Sequence, residues 1–411
     1  MKRLILVSAL LCGFVCANSQ TMYFWKNNVA LAAEASALGV MQYTQNGTAL
    51  TVVDSVMDLQ NIDSITVGTP VDESTVRVDY SSNGATAVVP FSLSRKVAVS
   101  ISGAYVNAVS TALDGNDIVY SLSGKSSDGA FLQTGTYKCT VQLNGLELTS
   151  LQGAAIDIAN GKRIKMILAD GTENTLSDMA GGTQKACLYV KGHPEFEGNG
   201  TLNVTGNTSH AIASGEYMYV KSGNINVLAS ANDGIHAGQY FKIKSGSVVI
   251  RNAKGDGIQA DITKNATDEF NGQMIINGGK IDISSNSSDV KLLRCDSLMT
   301  ISGGTIVING NGDGIKGIAT DGNLVINKDN GDTNISVTVS GGVYTDPATS
   351  ETSKTRCIKV NGDFTITAGT LKANATGKKS ATIKVDGVSA KSAVTSEELY
   401  LTCLNHAAQR R

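Results

Sequence analysis

Strict alternation of apolar and polar positions runs through most of the chain, and from about Thr201 it recurs in register. A glycine followed by an alternating stretch appears as Gly200-Thr201-Leu202-Asn203-Val204, Gly223-Asn224-Ile225-Asn226-Val227, Gly246-Ser247-Val248-Val249-Ile250, Gly279-Lys280-Ile281-Asp282-Ile283 and Gly304-Thr305-Ile306-Val307-Ile308. Successive glycines are 23, 23, 33 and 25 residues apart. A second phrase keeps step as Asp233-Gly234-Ile235, Asp256-Gly257-Ile258 and Asp313-Gly314-Ile315, with a degenerate copy at Asp289-Val290. A third is a short strand, Tyr217-Met218-Tyr219-Val220, Tyr240-Phe241-Lys242-Ile243, Gln273-Met274-Ile275-Ile276 and Leu298-Met299-Thr300-Ile301. Period-two alternation puts one apolar face on each segment, as half-buried strands require, and no window has a helical period. Three strands per repeat, none able to bury its inner face alone, predict an all-β fold: a right-handed single-stranded parallel β-helix, or solenoid, with a small β-rich N-terminal region. A β-propeller needs blades of about 40 to 45 residues, which the 23-residue step does not supply.

Composition agrees. Among 411 residues there are 44 glycines and only 4 prolines, so turns at positive φ are well served and few ladder hydrogen bonds are lost to proline. With 34 basic and 36 acidic residues there is no bulk field to draw in nucleic acid or an anionic membrane. Lys2 and Arg3 before the apolar run Leu4 to Val15, then Val15-Cys16-Ala17, predict a secretory signal at 1–17. Cys12 and Cys16 raise lipidation, but bulky Leu11 and Val15 stand where a small residue is expected. The product is expected to be secreted, in the periplasm or on the cell surface, and monomeric. Without Lys2 and Arg3 it has 32 basic against 36 acidic residues, a formal charge of −4, and no later run approaches a membrane span. The five remaining cysteines, Cys139, Cys187, Cys295, Cys357 and Cys403, have neither zinc-cluster nor redox spacing and read as small buried hydrophobes.

Residues 18–68 resemble a short leader module of exported Bacteroidetes proteins, on Thr21-Met22-Tyr23-Phe24-Trp25-Lys26 and Ile62-Asp63-Ser64-Ile65-Thr66-Val67. Residues 69–150 read as a β-rich region capping the repeats, 151–390 as the repeat domain, and 391–411 as a last strand or tail. Insertions at Asp261 to Phe270 and Lys328 to Asp332 decorate the repeats, and loops of this kind often carry binding residues.

Asp117-Ile118-Val119-Tyr120-Ser121-Leu122-Ser123-Gly124, Val141-Gln142-Leu143-Asn144-Gly145-Leu146, Ala169-Asp170-Gly171-Thr172-Glu173-Asn174-Thr175-Leu176-Ser177-Asp178 and the periodic Asp-Gly-Ile resemble a carbohydrate-binding β-helix family of secreted bacterial proteins. The resemblance covers about Ile101 to Gly342. It implies a pectate-lyase-like shape, calcium, and binding of wall polysaccharide such as polygalacturonate or cellulose without catalysis.

Asp233, Asp256, Asp289 and Asp313 form the candidate metal line. Neighbouring carboxylates ~4.8 Å apart repel by about 0.9 kcal/mol even at the dielectric of water, and calcium, which takes six to eight hard oxygens, would offset that. Each Asp could instead close its own turn. Glu173, Asn174 and Asp178 form a second polar group, read mainly as turn structure. Tyr217, Tyr219, Tyr240 and Lys242 face outward as a sugar platform, with His236 and Lys316 beside the acidic line to meet a uronate; the tyrosines could equally serve the sheet alone. A polysaccharide lyase remains the enzyme alternative and a surface adhesin the structural one. Arg-x-Pro-x-x-Arg, Gly-His-Gly and adjacent Asp pairs are all missing.

Overall fold

The computed structural model describes residues 20–39, 41–52, 55–115, 117–391 and 399–404. The proposed signal and most of the tail lie outside the described residues. Of the described chain nearly all regular structure is β, as the alternation predicts.

The strands of each repeat lie parallel to their equivalents in the next. Ile212, Ile235 and Ile258 stack on one another, as do Met218 and Phe241, and Ile225 and Val248. Twelve strands from Val97–Ser102 to Ala381–Val385 form one sheet, parallel after its first pair. One continuous core fills the interior, running from Val76 to Ala375 and including Phe131, Phe196, Phe241, Ile250 and Leu293.

The expectation of an open solenoid requires correction. Strand Cys139–Ser150 pairs through its first half with Arg163–Leu168 and through its second with Glu173–Asp178. From the first, pairing passes to His193–Gly198, Met218–Val220, Phe241–Ile243 and Met274–Ser285. It returns through Ser247–Arg251, Asn224–Ser230, Thr201–Gly206 and Glu173–Asp178. The circuit closes as a ten-strand parallel β-barrel in its connectivity, with the other strands added to it. Glycine is the physical reason. Gly279 (φ 76°) stands at the head of a strand in the sequence pattern, but like Gly145 (φ 75°) it lets one long strand turn a corner and keep pairing on both sides.

The N-terminal strands join the same sheet. Thr21–Lys26 and Val29–Glu34 form a hairpin across Asn27 and Asn28, both at positive φ (49° and 66°), the conformation that a two-residue I′ turn demands. Val29–Glu34 then pairs with Gly84–Pro90, and Thr75–Ser81 pairs with Ile118–Ser126. A small second core gathers Phe24, Ala33, Leu38, Leu50 and Val52. In the C-terminal stretch, Leu399–Leu404 pairs with Thr370–Thr376.

Cys139, Cys187, Cys295 and Cys357 are buried thiols, and burial pushes Cys139 up to about 12 and Cys295 up to about 11. Cys187 and Cys357 hold the place that Gly234, Gly257 and Gly317 hold in other repeats. There a Cβ on Gly317 would lie 2.3 Å from Val337 Cγ1, and one on Gly234 would lie 2.8 Å from Ile250 Cγ2, so small residues are favoured.

Candidate functional site

Immediately before that small residue, one position per repeat forms a column along the edge of the twelve-stranded sheet. It reads Ala186, His210, Asp233, Asp256, Lys291, Lys316, Arg356 and Ala381. The true repeat phrase is therefore polar-small-aliphatic in His210-Ala211-Ile212, Asp233-Gly234-Ile235, Asp256-Gly257-Ile258 and Lys316-Gly317-Ile318, with the larger Leu292 taking the middle place in Lys291-Leu292-Leu293. The expected four-aspartate line breaks after Asp256. Asp313-Gly314-Ile315 has the look of the repeat phrase, but hydrogen-bond register uses the next Gly-Ile, Gly317-Ile318. The signal was present, since Lys316-Gly317-Ile318 leads into the same alternation.

Asp233 and Asp256 are buried and act between repeats. Asp233 Oδ1 accepts from Asp256 N at 2.8 Å, and Asp256 Oδ1 accepts from Lys291 N at 2.7 Å. Asp313, exposed, does the same for Gly342 N at 2.6 Å. Each carboxylate thus caps the neighbouring repeat rather than its own turn. Asp233 Oδ2 also faces His210 Nδ1 at 3.2 Å and His236 Nδ1 at 3.1 Å, while His236 Nε2 meets Asp261 Oδ2 at 3.2 Å. Burial would raise Asp233, but these partners prevail and hold it well below the carboxylate range. Burial would likewise depress His236, and the two carboxylates override it to give about 9. Asp256 is raised, first by burial and then by Asp233, against the opposing pull of Lys291 and Arg294.

The implied calcium can be judged from these donors. Asp289 pairs with Lys316 at 3.2 Å, and Arg294 lies 3.6 Å from Asp256. Among the described residues no three carboxylates share ligand distance; the cluster that does is His210, Asp233 and His236. The four aspartates do not fit a hard-oxygen cage.

Further along the column the charge inverts. Lys291, Arg294, Lys316 and Lys359, with Thr320 and Asp321, line a concavity of about 220 Å³. Arg294, Ala319 and Lys359 are successive partners on the outward row, and the small Ala319 side chain leaves the depression between two cations. Lys316 is 7% exposed, held by Asp289 and Ser353, and burial draws its ammonium below the ordinary value. Lys291 and Lys359 have no ion-pair partner among the described residues and are partly exposed. Neither was singled out from sequence, because only register brings them together.

The expected platform is a stack turned on itself. Tyr217 and Tyr240 lie 4.6 Å apart at 11°, His193 covers the Tyr217 side at 4.3 Å, and Phe270 meets Tyr240 edge-on at 5.5 Å. Lys221 and Lys242 approach Tyr219 at 5.6 and 5.1 Å. Ring faces are thus largely covered, leaving edges and hydroxyls. Tyr217 Oη donates to Glu195 at 2.9 Å, and Lys221 bridges Glu195 and Glu197 at 2.8 and 2.7 Å. His236 and Lys316 stand in different rows, since His236 is followed by Gln259 and Arg294. Of the other polar group, Asn174 is buried and accepts from Gly145 N and Leu146 N, Asp178 accepts from Asn207 N, and Glu173 accepts from Asn203 Nδ2. They stitch neighbouring strands.

Fold and surface together define a parallel-stranded all-β protein whose successive repeats display columns of aromatic, acidic and basic side chains. Residues 102–402 match the family model of the carbohydrate-binding domain-containing protein, and the chain belongs to that family. A carbohydrate-binding domain-containing protein of Acetivibrio thermocellus is 28% identical over 106 residues, covering 23% of this chain and 37% of the relative. The gadolinium derivative of the polysaccharide lyase-like protein from C. thermocellum superposes with a TM-score of 0.51 at 23% identity, over 62% of this chain and 98% of that one. Among the described residues no helix is long and apolar enough to cross a membrane.

Proposed function

We propose that this protein is a non-catalytic binder of acidic polysaccharide, gripping uronate carboxylates in the basic concavity. The reading rests on one observation: two lysines without an ion-pair partner among the described residues, Lys291 and Lys359, flank a depression beside the held cations Arg294 and Lys316. Arg294 and Lys359 are two strand spacings apart, about 10 Å, which suits carboxylates on alternate sugars of an extended chain. Arginine can take a carboxylate side-on, and lysine adds a mobile point charge. Tyr219 and Lys242 offer a further polar and aromatic contact on another face. Calcium enters this reading as a solution counterion of the polysaccharide rather than as a ligand of the four aspartates.

The neighbour described as polysaccharide lyase-like motivates one control. Affinity electrophoresis through polygalacturonate and through a neutral glucan should show retardation in the acidic gel alone, weakened about tenfold by Lys291→Ala with Lys359→Ala. The same protein should release no unsaturated uronide in an ultraviolet assay. Equal retardation by the neutral glucan would overturn the charge-based reading, and product formation would overturn the non-catalytic one.

A further inference from the structure

The acidic end of the column lies apart from the proposed uronate site and gathers two histidines around one aspartate. His210 sits in one repeat and Asp233 with His236 in the next, their strands being direct partners. The imidazole rings lie 4.5 Å apart at 31°, and both Nδ1 atoms face the same Asp233 oxygen, at 3.2 and 3.1 Å. Ligand atoms on a tetrahedral zinc, each about 2.0 Å from the ion, are separated by about 3.3 Å. Both measured edges fit that separation. The three ligand atoms all lie within 4.8 Å of one another.

Two further features give the cluster the form of a site. His210 Nδ1 is buried and makes no hydrogen bond; its approach to Asp233 is close in distance but lacks bonding geometry. Asp233 is fixed by Asp256 N on Oδ1, which leaves Oδ2 aimed at the two rings. His236 then turns its other nitrogen to Asp261, whose remaining oxygen is held by Gln259. A carboxylate behind a ligating histidine is the outer support that metal sites use to set ring orientation and basicity.

We infer that His210, Asp233 and His236 bind one divalent transition ion of the zinc class, with Asp261 as the outer carboxylate. Two imidazoles and one carboxylate are the wrong set for calcium and a good one for zinc, cobalt, nickel or copper. The ion ties successive repeats together at a corner of the fold, and three protein ligands leave a fourth position for water.

The test uses the untagged chain stripped with EDTA. Calorimetry should show one Zn²⁺ taken up per chain and no comparable uptake of Ca²⁺, and Co²⁺ should give the intense visible bands of a four-coordinate ion. His210→Ala or Asp233→Asn should abolish stoichiometric uptake, whereas Asp261→Asn should weaken it by about 10–100-fold. X-ray absorption of the zinc-loaded wild-type protein should find two imidazoles, which keeps the idea testable if a variant fails to fold. No stoichiometric zinc uptake, fewer than two imidazoles around the ion, or unchanged uptake by a folded His210→Ala protein would overturn the assignment.

Discussion

Two halves of one column stand at the same register position and carry opposite charge. Asp233 and Asp256 are buried and hydrogen-bonded to neighbouring backbone, with His210 half-buried beside Asp233, whereas Lys291 borders an open concavity and Lys316 is held at its wall. Backbone pairing treats the two halves alike, stacking Ile212, Ile235, Ile258, Leu293 and Ile318 beneath both. The repeat therefore dictates where a side chain stands and leaves its chemistry free. Function varies along the column because the core does not.

The largest effect should come from the position the halves share. Gly317→Val places new carbon against Val337 Cγ1 and the Cys357 carbonyl, and a loss of about 3 kcal/mol is expected in chemical denaturation. A loss under about 0.5 kcal/mol would mean that the corner is looser than its contacts indicate. Next, Asp256→Ala removes the acceptor for Lys291 N and the carboxylate beside Arg294, costing about 1–3 kcal/mol. Lys359→Ala should stay within about 0.5 kcal/mol by the same measure, since its side chain has no ion-pair partner among the described residues. Equal losses at Asp256 and Lys359 would erase the distinction between a structural and a binding half.

A smaller effect is expected with pH at the aromatic stack. Burial opposes ionisation of Glu195, but Lys221 and Tyr217 hold its carboxyl below the usual value. A depressed folded value means that its stabilisation is complete above the unfolded carboxylate range and is lost as pH falls through the folded value. Glu195→Gln should therefore lower the melting temperature at neutral pH, leave it little changed below the folded value, and so flatten the acid limb of the profile. At the same stack, Tyr240→Leu should cost about 0.5–1.5 kcal/mol beyond the lost area, read from a double-mutant cycle with Tyr217→Leu.

Much of the fold was legible because alternation and the 23-residue step are local properties of the sequence. Strand positions such as Met218–Val220 and Ile235–Ala237 follow directly. Closure was not legible. Gly279 looks like a turn before a new strand and Gly145 like an ordinary strand residue, and only the pairing on both sides of each reveals a corner within a continuous strand. The site was partly legible for a related reason. Asp233 and Asp256 share a column as their spacing implies, but the doubled Gly-Ile at Gly314 to Ile318 offers two registers, and packing against Val337 selects the second. The four histidines have no metal-motif spacing, and at His210 Ala211 replaces the glycine that marks the phrase elsewhere, so only the register shows which groups it meets.

Hydrogen exchange of the full chain with and without oligogalacturonate tests the division of labour most directly. The account predicts slowed exchange along Lys291–Cys295, Lys316–Thr320 and Arg356–Val360, with Ile235–Ala237 and Ile258–Ala260 unchanged. Protection confined to the acidic half, or to the tyrosine stack at Met218–Val220 and Phe241–Ile243, would contradict it.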